Sequence, residues 1–184
     1  MIVVLVILAA AAGLALGWFL PPNGRRPRDP APRARRILLP MTGEALSTRA
    51  LEAAFRLARA EQATLMPAYL ATVPRSLDMT APLPRTAAHM LPLIEAIEQR
   101  AAGQGIAVDS RVSRGRTPRH ALERILEDER IDRIVVAARR NGDPGFASED
   151  VAWMLEHAEA EVVVLRPGPE DHRAVTAEQV RGHF

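Results

Sequence analysis

Two observations predict an α/β fold: a five-stranded, mainly parallel sheet with helices on both faces, preceded by one transmembrane helix. Residues 1–20 contain no charged side chain. From residue 37 onward, short apolar runs alternate with segments whose apolar residues recur at helical spacing. Such alternation suits parallel strands, which need helical crossovers between them.

The apolar run comes first. At about 1.5 Å per helical residue, twenty residues cover the roughly 30 Å of bilayer hydrocarbon. Trp18 stands near one end, where an indole favours the headgroup layer, and Pro21-Pro22 stop the helix. Arg25, Arg26, Arg28, Arg33, Arg35 and Arg36 all follow the run and no basic side chain precedes it. Positive segments stay on the cytoplasmic side, so a single-pass protein of the cell membrane is expected, with its body facing the cytoplasm. Ala15-Leu16-Gly17 has the form of a signal-peptide cleavage site, but the positively charged region that should precede the core is absent. Residues 21–36, rich in Pro and Arg, are expected to form an extended juxtamembrane linker whose arginines meet anionic headgroups.

The folded domain is expected over 37–167, long enough for one core. Residues 37–41 read as a strand, and 46–60 as a helix with Leu51, Ala54, Phe55 and Ala58 on one face. Residues 63–73 are a second strand, in which Pro67 suggests an edge or a bulge. A loop over 74–84 leads to a helix over 89–100, closed by Gly103 and Gly105. Residues 106–112 alternate as a half-exposed strand. Thr117-Pro118 starts the next helix, with a hydroxyl cap followed by a proline tolerated in the first turn. A buried-type strand over 133–137, a helix over 150–157 and a strand over 161–165 complete the pattern, and 168–184 are a tail.

Composition removes several chemistries. The chain has no cysteine, which excludes disulfides, thiolate catalysis and cysteine-bound metal. His89, His120, His157, His172 and His183 have no metal-ligand spacing, and no serine lies in a nucleophile turn. The high pI, about 10.2, reflects a basic complement made only of arginine, with net charge +2. Arginines in the linker lack aromatic neighbours for base stacking, so no nucleic-acid partner is expected.

In an open parallel sheet, ligands bind at the carboxyl ends of strands, where strand order reverses. The candidate positions are therefore Thr42-Gly43 and the loop after Ala137.

The succession resembles the universal stress protein family. The matching stretches are Ile37-Leu-Leu-Pro-Met41, Arg49-Ala-Leu-Glu-Ala-Ala54, Ile131-Asp-Arg-Ile-Val-Val136, and His157-Ala158 leading into Val162-Val-Val-Leu-Arg-Pro167. The resemblance implies an adenine-nucleotide alpha-hydrolase-like fold. ATP-binding members carry an Asp after the first strand and a Gly-x2-Gly-x9-Gly-Ser/Thr loop after the fourth. Such glycines let backbone amides approach phosphate. Here Thr42 replaces the Asp, and Ala137 and Arg140 take the leading glycine positions. Counting back from His157 puts Ser148 and Glu149 at the closing pair, with the intervening stretch two residues short. Gly142-Asp143-Pro144-Gly145 has the Gly-x2-Gly form but reads as a turn: Pro144 has no amide proton, and Asp143 repels phosphate. Ser148 is expected to cap the following helix, with Glu149 and Asp150 complementing its positive end.

Two readings follow. The preferred one is a non-enzymatic, membrane-anchored regulatory or interaction module in stress response that does not bind ATP in the family manner. It has a membrane-protein partner and, as the resemblance implies, forms a homodimer through Glu161 to Leu165. The alternative is a nucleotide-responsive sensor holding ATP or AMP. Its crevice would draw on Pro40, Thr42, Gly43, Leu70, Val136, Ala137, Arg140, Gly142, Gly145 and Ser148.

Overall fold

The computed structural model describes residues 34–43, 46–139, 145–166 and Val180. The expected transmembrane helix over 1–20 and the linker as far as Arg33 lie outside the described residues. Among the described residues no helix is long and apolar enough to cross a membrane.

The elements are β1 (Arg36–Met41), α1 (Thr48–Glu61), β2 (Thr64–Thr72), α2 (Pro84–Gly103), β3 (Arg111–Gly115), α3 (Pro118–Asp128), β4 (Arg133–Ala137), α4 (Ser148–His157) and β5 (Glu161–Leu165). The five strands pair in the order β3-β2-β1-β4-β5, and every pairing is parallel. The chain winds from β1 outward to β3, then crosses to β4 on the other side of β1. Strand order therefore reverses between β1 and β4.

Successive residues of a strand face opposite sides of the sheet, which builds two cores. Ile37, Leu39, Met41, Val135 and Ala137 pack with the buried faces of α1 and α2. Leu38, Met66, Leu70, Ile134 and Val136 pack with α3 and α4. Each large side chain so buried contributes about 1.5–3 kcal/mol. Val180, in the stretch expected to be a mere tail, is wholly buried in the first core.

Helix starts follow local chemistry. Ser47 caps α1, its hydroxyl accepting from the Ala50 amide at 3.3 Å, and Thr117 caps α3 through the His120 amide at 3.1 Å. α2 begins earlier than its periodicity suggests, with Pro84 in the first turn, and continues through Pro92. Ser148 does not cap α4. It is the first helical residue, and Ala147 holds the cap position with no side-chain bond.

Pro67 is neither at an edge nor at a bulge, because β2 lies between β1 and β3. The backbone explains the tolerance. Thr64 donates its amide toward the β1 side, to Arg35, and Leu65 donates toward the β3 side, to Ala107. By alternation, the amide that Pro67 lacks would face β3. Pairing with that strand is interrupted there, between the Leu65↔Val108 bridge and the ladder that resumes at Ala68↔Arg111. The same interruption moves β3 to Arg111–Gly115, later than the 106–112 expected; Val112, paired with Tyr69 on this edge strand, is 46% exposed.

The amino ends of the strands carry a lattice of arginines and carboxylates. Arg36 reaches Glu129 and Asp109, Arg111 reaches the same two acids, and Arg133 bridges Glu61 and Glu161. Burial pushes the Glu61 pKa upward, but hydrogen bonds and charge from Arg35 and Arg133 outweigh it and leave the carboxyl below its ordinary value. The Arg36 hydrogen bond, with help from Arg111, lowers Glu129 likewise against its burial.

Candidate functional site

The reversal between β1 and β4 brings the predicted crevice together at their carboxyl ends. Pro40, Thr42, Ala137 and Gly145 line it, joined by Leu46 and Phe146, which sequence reasoning missed. Among the described residues, the space between β1, the start of α1 and the end of β4 is about 10 Å³. Gly43 sits beside it, exposed, at φ +72°, a conformation that suits glycine.

Other expected site residues lie elsewhere. Leu70 and Val136 are 2% and 1% exposed, and their side chains belong to the core beneath α3 and α4. Ser148 is exposed on the first turn of α4, its hydroxyl 3.3 Å from the Glu149 carboxylate. Arg140 and Gly142 lie outside the described residues.

The loop after β4 returns onto the strand it left. The Phe146 amide donates to the Ala137 carbonyl at 2.8 Å, and the Arg139 amide donates to the Phe146 carbonyl at 2.6 Å. A parallel bridge joins Ala138 to Phe146, and the Ala138 amide donates to Leu165 at 2.8 Å. Backbone carbonyls thus satisfy the amides of Ala138, Arg139 and Phe146.

Glycine is required at the return. Gly145 has φ +146°, and a Cβ there would stand 2.5 Å from the Ala137 carbonyl oxygen. Gly145 and Phe146 therefore form the return onto β4, just before Ser148 and Glu149 on the first turn of α4. Phe146, 5% exposed, packs into the second core. A lone Gly-Phe pair inside a turn-rich stretch gave little sequence signal for this role.

Charge follows the same direction. Glu149 and Asp150 occupy the first turn of α4, where their carboxylates oppose an incoming anion.

A protein-family model described as the universal stress protein family matches residues 33–174. The chain belongs to this family. Solved structures share the fold. UspA from Lactobacillus plantarum is 22% identical, with 73% of this chain and 99% of that one covered at a TM-score of 0.52. A universal stress protein family member from Arabidopsis thaliana, with AMP bound, is 14% identical over 74% of this chain and 94% of that one, TM-score 0.53. A universal stress protein in complex with cAMP is 18% identical over 73% of this chain and 98% of that one, TM-score 0.51. Among curated proteins no relative matches the chain.

Proposed function

We propose that this universal stress protein domain is a non-enzymatic, membrane-tethered regulatory module of the stress response that acts through protein association and does not hold ATP in the family manner. The observation that supports the reading most is the return of the chain onto β4, where Phe146 and Arg139 bond to backbone and only about 10 Å³ lies open between β1, α1 and β4 among the described residues. The absent acid at Thr42, the shortened loop and the satisfied amides of Arg139 and Phe146 act in the same direction. The membrane tether rests on the uncharged run over 1–20 and the arginines that follow it.

Association is proposed to use β5. It is an edge of the sheet, Val164 on it is 39% exposed, and pairing with a second copy would cover unpaired backbone groups. The competing reading, a nucleotide-responsive sensor, draws on the AMP and cAMP held by the two structural relatives named above.

Isothermal titration of the full chain in detergent micelles with ATP and with AMP separates the two. No heat up to about millimolar ligand is expected, since such a Kd corresponds to only about 4 kcal/mol of binding. Saturable binding in the micromolar range would sink the association reading in favour of the sensor.

A further inference from the structure

We propose that the 74–83 loop, with the arginines that surround and anchor it, is a docking surface for an anionic lipid bilayer. The loop joins β2 to α2 at the carboxyl end of the sheet, and two arginines from the β3 region fasten it. Arg116 donates to the carbonyls of Pro74 at 2.6 Å, Leu77 at 2.9 Å and Val73 at 3.4 Å. Arg114 donates to the carbonyls of Ala81 at 2.9 Å and Met79 at 3.2 Å.

These are charged anchors with neutral partners. Among the described residues neither Arg114 nor Arg116 forms an ion pair with a carboxylate. The carbonyls accept from one terminal nitrogen of each guanidinium and leave its charge in place. Across the two stretches that meet here, 73–85 and 114–118, there are four arginines (Arg75, Arg85, Arg114, Arg116) and one acid, Asp78, while Arg119 lies over the Trp153 ring at 4.6 Å. The amino end of the sheet differs, because its arginines are matched by acids. The loop thus presents positive charge that Asp78, close enough to interact with Arg116, offsets only in part.

On that same loop Leu77 is 42% exposed. An aliphatic side chain among arginines suits a bilayer surface, where the chain enters the acyl boundary and the guanidinium groups meet headgroup phosphates. The loop has no aromatic residue, so it lacks the stacking platform by which single-stranded nucleic acid is held. Lipid is therefore the occupant the chemistry favours.

The chain has no native cysteine, so a fluorophore can be placed at Ser76→Cys, beside Leu77, and in a second sample at Glu127→Cys on α3. Each full-length protein is reconstituted with vesicles containing spin-labelled lipid, made of phosphatidylcholine alone or with about one third phosphatidylserine. Quenching at Ser76 in the anionic vesicles is expected to exceed that at Glu127 roughly threefold and to fall at high salt. It is also expected to fall with Leu77→Asp and with Arg75→Glu/Arg85→Glu. Both sets of substitutions are on exposed residues, and circular dichroism checks that the fold persists. Quenching at Ser76 that does not exceed that at Glu127, or that is equal in the two vesicle types, overturns the proposal. The readout is local to the loop and independent of how residues 1–20 meet the membrane.

Discussion

The two ends of the parallel sheet are closed by different physics. At the carboxyl end, backbone bonds tie the chain at Phe146 back onto β4, and the Phe146 side chain packs into the second core beside them. At the amino end, arginines and carboxylates from distant parts of the chain neutralise one another over a partly solvated surface. The first kind of closure depends on shape, tolerates little change and is indifferent to salt. The second is spread over many partners, each replaceable at modest cost.

The largest test of this contrast is Phe146→Ala. Truncating a buried phenylalanine costs about 3–5 kcal/mol, and here it also removes the ring that lines the crevice. Urea denaturation should show the loss in the midpoint, unchanged between low and high salt. A loss below about 1 kcal/mol would mean the ring is not part of the closed end at all.

Gly145→Ala follows, at about 2–3 kcal/mol, because an L residue is strained at φ +146° and its Cβ would meet the Ala137 carbonyl oxygen. Gly43 is a useful control. It also has positive φ, but no atom lies within 4 Å of its would-be Cβ, so Gly43→Ala pays the backbone term without the contact. Equal losses at the two glycines, read from thermal melts, would show that the return onto β4 adds nothing.

At the opposite end Arg133→Ala is expected to cost about 1–2 kcal/mol, between the values for exposed and for fully buried pairs. Its side chain is 14% exposed and serves Glu61 and Glu161, of which the latter is largely solvated. This penalty should shrink as salt is raised, opposite to the constancy expected at Phe146. A salt-independent penalty would assign Arg133 a packing role.

Legibility in the sequence divides along the same line. β4 and β5 were bounded by their apolar runs, and Thr117-Pro118 announced α3 because cap and proline act within one turn. The family pattern pointed to the crevice between β1 and β4, but counting back from His157 to Ser148 gave no sign of the return at Gly145 and Phe146, whose bonds reach back across the loop to β4. Leu70 and Val136 were assigned to the crevice by their strands, yet strand alternation turns their side chains into the core. The amino-end lattice was invisible because it joins residues far apart in sequence: Arg133 and Glu61 are separated by 72 positions and Arg36 and Glu129 by 93. Pro67 misled for a related reason. Its rule concerns a missing donor, and only the register of β2 against β3 shows that no acceptor is waiting for it.

The smallest effect, and the sharpest separation of the two ends, is in acid. Glu61 and Glu129 have pKa values below the ordinary one in the folded chain, held there by arginine against the cost of burial. A carboxyl with a depressed folded value contributes its stability fully above the unfolded pKa, about 4.3 for Glu, and loses it as pH falls through the lower folded value. The amino end should therefore weaken between about pH 5 and the depressed values, while the backbone bonds that close the carboxyl end do not titrate. It follows that the penalty of Arg133→Ala, measured by urea at pH 7 and again near pH 3, should diminish in acid as Glu61 becomes protonated. The Phe146→Ala penalty should stay constant over the same range. If both penalties fall together, acid is acting on the fold as a whole, and the two ends are not the independent closures that their chemistry implies.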